Sequence, residues 1–271
     1  MRITKTFKNF LEKENASGIL LIVITIMTMV TVNFILRDNL LGFWQQEFIG
    51  KPIDFWINDV LMTVFFLLVG LEIEREIYVG ELSNLKQALL PIIAAIGGML
   101  VPAICYIAIN YSSGSIDGFG IPMATDIAFS ITILSILSSR IPSTLKVFLT
   151  ALAIIDDLGA IIIIAVFYTK NFSFMYLGIA LSMALLLFVF NRKKINNLIF
   201  YFIPGIVMWI CLYKSGIHPT ITGVLLAFLI PFGKGDKTSP SHKLEMMIHK
   251  PVAYIILPLF AIANTGILLT S

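Results

Sequence analysis

Two adjacent acids, Asp156 and Asp157, lie in a stretch that has no other charged residue from Val147 to Thr169. A helix of that length crosses a bilayer, and at about 1.5 Å per residue the pair falls near its middle. One Asp at a helix centre costs about 2.5–3.5 kcal/mol on insertion scales, so the pair costs about 5–7 kcal/mol. Two neighbouring carboxylates in a low dielectric cannot both ionise easily. The pair is therefore expected to be a site where H⁺ and a small hard cation such as Na⁺ or Li⁺ compete.

A third acid, Asp126, lies in a span whose Gly120 and Pro122 disfavour a continuous helix. Interrupted helices are expected where the backbone lines a cavity, and the dipoles of the two half-helices end at the break. Thr125 adds a hydroxyl beside the charge of Asp126. The two residues are candidate ion-binding groups, although a Thr-Asp pair that only caps the second half-helix is an alternative.

Two other interpretations of the Asp pair are open. The pair could be bonded inside a bundle with a purely structural role, although its own span offers no basic partner. An intramembrane aspartyl protease also needs buried acids, but it needs two aspartates on separate spans that face each other. Adjacent aspartates on one span favour an ion transporter over an enzyme.

The composition requires a membrane around these acids. The 271 residues are 58% hydrophobic and only 13% charged, and the mean hydropathy is +0.94. These values exclude a water-soluble globular domain. The net charge of +3 is too slight to indicate a nucleic-acid partner. Cys105 and Cys211 lie in apolar stretches and predict neither a disulfide nor a metal site.

Apolar stretches divide the chain into nine candidate spans of one membrane domain, residues 1–271. Span one is too long for a signal-peptide core, so we expect it to be retained. A cytoplasmic N-terminus places 15 Lys and Arg residues inside and 4 outside, the asymmetry that marks cytoplasmic loops. The sequence thus predicts an all-α polytopic protein in a lipid bilayer, because open sheets cannot satisfy their backbone there. The spans are 16–36, 53–71, 87–111, 118–139, 147–169, 171–191, 195–213, 215–233 and 251–271.

Motifs along nearly the whole chain resemble those of the NhaA-type Na⁺/H⁺ antiporters. The resemblance implies that family's fold, with inverted-topology repeats and a broken helix in span four. The motifs are WIND at 56–59, FFLLVGLE at 65–72, AAIGGM at 94–99, ATDIAF at 124–129, AIIDDLGA at 153–160 and KSGIH at 214–218.

The resemblance also implies roles for the acids. Asp157 would be a principal cation ligand, Asp156 a proton-carrying partner, and Thr125 and Asp126 the broken-helix elements at the crossing. It implies electrogenic exchange of cytoplasmic Na⁺ or Li⁺ for external H⁺ by alternating access, with no cofactor. A bacterial inner-membrane location and a homodimer follow from the same resemblance.

Charged residues at the cytoplasmic end of span two have two interpretations. They could be a solvated helix end held by pairs one turn apart. The resemblance instead assigns them, with two residues across the bundle, to a pH-responsive cluster. A histidine in such a cluster would titrate near neutrality if exposed; His218 is a further candidate, although a satisfied polar residue is the simpler interpretation there. The cluster candidates are Glu72, Arg75, Glu76, Glu245 and His249.

This sequence differs from the family pattern at its C-terminal side. The family has twelve spans, and a second broken helix and a basic partner of the Asp pair lie in the last three. Those three have no counterpart in the 271 residues. The alternative to an active antiporter is therefore a truncated, non-transporting paralogue or partial subunit.

Overall fold

The computed structural model describes residues 5–34, 39–83, 85–112, 114–123, 130, 142–167, 172–233, 235–236 and 238–265. Helices make up most of this part of the chain, joined by two short 3₁₀ helices at Glu81–Ser83 and Ile116–Met123. The helices are α1 (Lys5–Phe34), α2 (Asn39–Trp44), α3 (Ile53–Val79), α4 (Leu85–Asn110), α5 (Ser143–Phe167), α6 (Phe174–Arg192), α7 (Ile199–Ser215), α8 (Ile221–Leu229) and α9 (Pro240–Asn264).

Membrane-length helices dominate. Within the described ranges, five are long and apolar enough to cross a bilayer, in agreement with the all-helical membrane architecture expected from composition. They are Ser17–Phe34, Ile53–Val79, Ala88–Asn110, Phe174–Arg192 and Pro240–Asn264.

Two long helices, α3 and α9, each contain a π-helical turn. The turn in α3 is Trp56–Leu61, and the turn in α9 is Val252–Ile256, directly after Pro251. Pro251 has no backbone N–H to donate, which favours a local change of helix type there. The π-helical turn in α9 packs against the residues that follow the turn in α3, because Met62 and Leu68 form one buried cluster with Val252 and Ile256.

Among the described helices, α3 and α8 come into close backbone contact. A Cβ at Gly223 would lie 2.3 Å from the Thr63 carbonyl oxygen and 2.7 Å from the Leu67 nitrogen. A Cβ at Gly70 would lie 2.7 Å from the Ala227 Cβ. Glycine at these positions lets the two backbones touch, so α3 packs directly against α8.

The main buried cluster lies around that contact and joins α3 to α6, α7, α8 and α9. It comprises Leu67, Leu71, Ala180, Leu187, Tyr201, Met208, Cys211, Leu212, Leu226, Ala227, Ile230 and Leu244.

The helix that carries the Asp pair packs mainly in a second group, with α4 and the 3₁₀ helix Ile116–Met123. A Cβ at Gly159 would lie 2.3 Å from the Met99 sulfur, so α4 and α5 approach closely there. This group meets α3 through one apolar cluster, in which Ile154 packs against Val69 and Ile73. The Asp pair is therefore positioned between α4 and α3.

A small antiparallel hairpin precedes α3. Its strands are β1 (Glu47–Phe48) and β2 (Lys51–Pro52), with Glu47 opposite Pro52 and Phe48 opposite Lys51. Ile49 and Gly50 form the turn with φ of 53° and 70°, as the right-handed twist of two-residue hairpins favours.

The helices differ in extent from several predicted spans. Where the sequence predicts span eight at 215–233, α8 has only nine residues, because Gly216 adopts φ of +85° and ends α7. Where it predicts span nine at 251–271, α9 begins earlier, at Pro240. Most of span four, 118–139, lies outside the described residues, so its broken helix stays a prediction.

Candidate ion-binding site

The Asp pair lies in the middle of α5, which has 25 residues. Asp156 is buried, with 2% of its surface exposed, whereas Asp157 is half-buried. Residues next to each other on a helix point about 100° apart, so the two carboxylates have different neighbours.

The packing of α5 assigns a direction to each acid. Ile154 contacts α3, and Asp157 follows three residues later on the same helix face. Gly159 contacts Met99 of α4, and Asp156 precedes it by three residues on that face. Asp156 thus lies on the α4 side and Asp157 on the α3 side, where an ion could approach it.

Glu72 links the pair to one end of α3. The charges that act on the Glu72 carboxyl come from Arg75, Glu245, Asp157 and Glu76. Glu72 is half-buried. It therefore lies within electrostatic reach of both Asp157 and the charged groups at the C-terminal end of α3.

Those charged groups form what we call the Arg75 cluster: Arg75, Glu76, His242 and Glu245. Arg75 Nη1 donates a hydrogen bond to Glu245 Oε1, which joins α3 to α9. Glu76 Oε1 lies 3.8 Å from Arg75 Nη2, and His242 Nδ1 lies 3.8 Å from Glu245 Oε2. The Glu245 side chain is only 6% exposed. The contact is therefore a bridge between helices and not a solvated helix end.

A second polar group, which we call the Lys51 cluster, lies at the N-terminal end of α3: Lys51, Phe55, Asp59, Tyr213 and His218. His218 Nε2 lies 3.9 Å from Asp59 Oδ1. Lys51 Nζ donates a hydrogen bond to the Tyr213 hydroxyl at 2.6 Å. The two clusters thus occupy opposite ends of one membrane-length helix.

The structure separates the residues predicted to respond to pH. Glu72, Arg75, Glu76 and Glu245 come together, and His249 is one helical turn beyond Glu245 on α9. His218 does not join them, because it lies against Asp59 and Thr220 at the other end. Two predicted site residues, Thr125 and Asp126, lie outside the described residues.

Sequence reasoning missed three features. His242 precedes Glu245 by three residues, a helical spacing that could have revealed the pair. Glu74 is only 3% exposed, and one of its carboxylate oxygens has no hydrogen-bond partner in the described part of the chain. Lys51 and Tyr213 are 162 residues apart, and no local pattern relates them.

Across the described ranges, no group of three or more His, Cys, Asp or Glu side chains is arranged to hold a metal ion. Two carboxylates at mid-helix instead suit an ion that binds and leaves.

Membrane-length helices around a buried acidic pair define a polytopic membrane protein with an ionisable centre. A family model described as Na⁺/H⁺ antiporter 1 matches residues 8–271. The chain belongs to this family.

Curated relatives agree with that assignment. The chain is 56% identical over 271 residues to Na(+)/H(+) antiporter NhaA 1 of Flavobacterium johnsoniae, covering 100% of this chain and 71% of the relative. Na(+)/H(+) antiporter NhaA of Flavobacterium psychrophilum is also 56% identical, with the same coverage. The protein of that name from Citrobacter koseri is 44% identical over 277 residues, covering 97% of this chain and 70% of the relative.

Family membership confirms several predictions. The resemblance drawn from the motifs is correct, and the relatives are transporters, not enzymes. The chain is a multi-pass protein of the bacterial inner membrane. At the level of the family, the function is exchange of Na⁺ for H⁺.

Proposed function

We propose that this chain exchanges cytoplasmic Na⁺ or Li⁺ for external H⁺ by alternating access. The observation that carries the proposal is the Asp pair at the middle of α5, with Asp156 buried and Asp157 half-buried. A carboxylate at that depth binds either a proton or a cation, because an uncompensated charge is costly there. Competition between the two ions then couples their movements.

The two acids have different roles in this proposal. Asp157, on the face toward α3, is the principal cation ligand. Asp156, on the face toward α4, carries the proton. Thr125 and Asp126 complete the site at the crossing of the broken helix. More protons enter than Na⁺ ions leave, so the exchange is electrogenic.

The orientation of the bundle gives each cluster a side. We place the N-terminus in the cytoplasm, with nine spans, because most Lys and Arg residues then lie in cytoplasmic loops. The Arg75 cluster then faces the cytoplasm, and the Lys51 cluster faces outside. Labelling of single cysteines at Gly50 and Ser83 with an impermeant reagent tests this. Only the Gly50→Cys variant should react in intact cells.

The Arg75 cluster, with Glu72 and His249, is the proposed pH-responsive element. Support comes from the Arg75 to Glu245 contact, which joins two helices and depends on the charge of both groups. Glu245→Gln should shift the pH at which exchange reaches half its maximum, whereas Asp157→Asn should abolish exchange at every pH. An unchanged pH profile in Glu245→Gln would contradict this assignment.

Assembly as a homodimer is also proposed, on the basis of the family resemblance. Native mass spectrometry from lipid nanodiscs measures it directly. A mass of one chain per particle would contradict the proposal.

Exchange itself is tested in inverted vesicles from antiporter-deficient cells, by Na⁺- and Li⁺-dependent proton movement from pH 6.5 to 9. The parent should exchange, and Asp157→Asn and Asp156→Asn should not. Asp117→Asn is the matched control, because Asp117 is an exposed acid in the 3₁₀ helix Ile116–Met123. A well-inserted parent that moves no protons would contradict the proposal and favour a non-transporting member of the family.

A further inference from the structure

The ammonium group of Lys51 is held in one place by aromatic rings. Its Nζ lies 5.3 Å from the centre of the Phe55 ring and 5.1 Å from the centre of the Tyr213 ring. It also donates a hydrogen bond to the Tyr213 hydroxyl at 2.6 Å. Ring faces attract cations at such distances. A lysine next to a two-residue turn would otherwise extend into solvent, so these contacts fix the position of a positive charge.

The rings are themselves fastened to α3. Tyr213 stacks on Trp209, with ring centres 6.0 Å apart and planes within 8°. Trp209 Nε1 donates a hydrogen bond to Thr63 Oγ1 at 2.8 Å. The charge of Lys51 is thus tied to the first turns of α3 by a rigid frame on α7.

Asp59 follows Phe55, whose ring contacts Lys51, by one helical turn. The charge that acts on its carboxyl most strongly is that of His218, followed by Asp54 and then Lys51. At the C-terminal end of α3, the Arg75 cluster and Glu72 have three carboxylates around one arginine and one histidine. At one end of α3 the acids outnumber the basic groups, while at the other end Lys51 and His218 lie among the acids Asp54 and Asp59.

We propose that Lys51 is a positioning residue for ion release. Its fixed charge lowers the affinity for Na⁺ at the outer end of α3, around Asp59. A cation that reaches the Lys51 cluster is repelled by Lys51 and leaves. The acid-rich Arg75 cluster, at the inner end, attracts cations from the cytoplasm. The inference rests on the proposed function and adds a difference in affinity between the two faces. Lys51 acts on the ion through the electrostatic potential around Asp59, without binding the ion.

The test compares apparent KM for Na⁺ on each face, using right-side-out and inverted vesicles at low ionic strength. Lys51→Met keeps a long side chain among the rings and removes the charge. It should lower the external KM about threefold and leave the cytoplasmic KM unchanged. The difference should disappear at high salt, because salt screens the charge. Lys51→Arg should restore the parent value.

Lys214→Met is the matched control. Lys214 follows Tyr213 directly and is exposed, and its Nζ lies 5.5 Å from the centre of the Tyr176 ring. The substitution removes one positive charge from the same end of α7 but not from the rings beside Asp59. It should leave KM unchanged on both faces. Equal changes in the two Lys→Met variants, or an equal change on both faces, would overturn the proposal.

A measurement that needs no transport separates this proposal from the proposed function. The imidazole of His218 can be titrated by NMR in nanodiscs with labelled histidine and assigned with a His218→Gln variant. Removing the charge of Lys51 should make His218 easier to protonate, so its titration midpoint should rise in Lys51→Met and not in Lys214→Met. If the parent exchanges no ions but the midpoint rises, the proposed function fails and the placement of the charge stands. An unchanged midpoint overturns the placement.

Discussion

The polar groups at the two ends of α3 are stabilised by different kinds of contact. At the C-terminal end, Arg75 contacts Glu245 of α9, whose side chain is 6% exposed. At the N-terminal end, Lys51 lies among the rings of Phe55 and Tyr213. The first end is an acid-rich ionic bridge, and the second is a cation in an aromatic frame. Asp59 and Arg75 are 16 residues apart, about 24 Å along a helix, so each end has its own electrostatic environment.

The difference shows that one membrane-length helix can have two different electrostatic environments at its two ends. Between the two ends, α3 packs closely against α8, with Gly70 of α3 and Gly223 of α8 at the contact. Variants can therefore disturb both ends together or each end alone.

The largest effect on stability should come from a change at the contact between α3 and α8. Gly223→Ala places a methyl group 2.3 Å from the Thr63 carbonyl oxygen, and backbone atoms cannot rotate away. The helices must separate, so we expect the free energy of unfolding to fall by about 3 kcal/mol, with KM for Na⁺ altered on both faces. Thermal unfolding in detergent measures the first effect.

Gly97→Ala is the control for that variant, because a Cβ there has nothing within 4 Å. Alanine is the better helix former by up to about 1 kcal/mol, so its stability should be unchanged or higher. Equal unfolding temperatures for the two variants would show that α3 does not pack against α8 as described.

A smaller effect, limited to the C-terminal end, is expected from Arg75→Ala. It leaves the buried Glu245 carboxylate without its guanidinium donor, which should cost about 2 kcal/mol of stability. Adding Glu245→Gln should recover part of the loss, because a neutral amide is easier to bury. If the double variant is as unstable as the sum of the two single variants, the bridge contributes little.

The smallest effect should be at the N-terminal end. Trp209→Phe keeps the stacked ring and removes the hydrogen bond to Thr63, so we expect a loss of about 1 kcal/mol. The external KM for Na⁺ should move toward that of Lys51→Met, with the cytoplasmic KM unchanged. Trp56→Phe is the comparison, since its indole donates only to the Phe48 carbonyl of the hairpin. A change in cytoplasmic KM in Trp209→Phe would show that the ends are not independent.

Several elements could be read directly from the sequence. The Asp pair stands out because the cost of burying a charge depends on its position along an apolar stretch, which is local information. Motifs along nearly the whole chain resemble those of the family, and the family model confirms that resemblance. Helix ends were harder. The sequence places the start of span nine at Pro251, but α9 begins at Pro240, because its polar first turns are accommodated by a partner on α3.

By itself, the sequence determined that this chain is a helical membrane protein with two acids at mid-span, since hydropathy and helix length are properties of consecutive residues. The tertiary structure decided which acid faces α3, where His218 lies and what holds Lys51. Arg75 and Glu245 are 170 residues apart, and Lys51 and Tyr213 are 162 apart. Contacts over such separations depend on how the helices pack, and packing depends on small features such as the contacts of Gly70 and Gly223, which no local pattern of residues reveals.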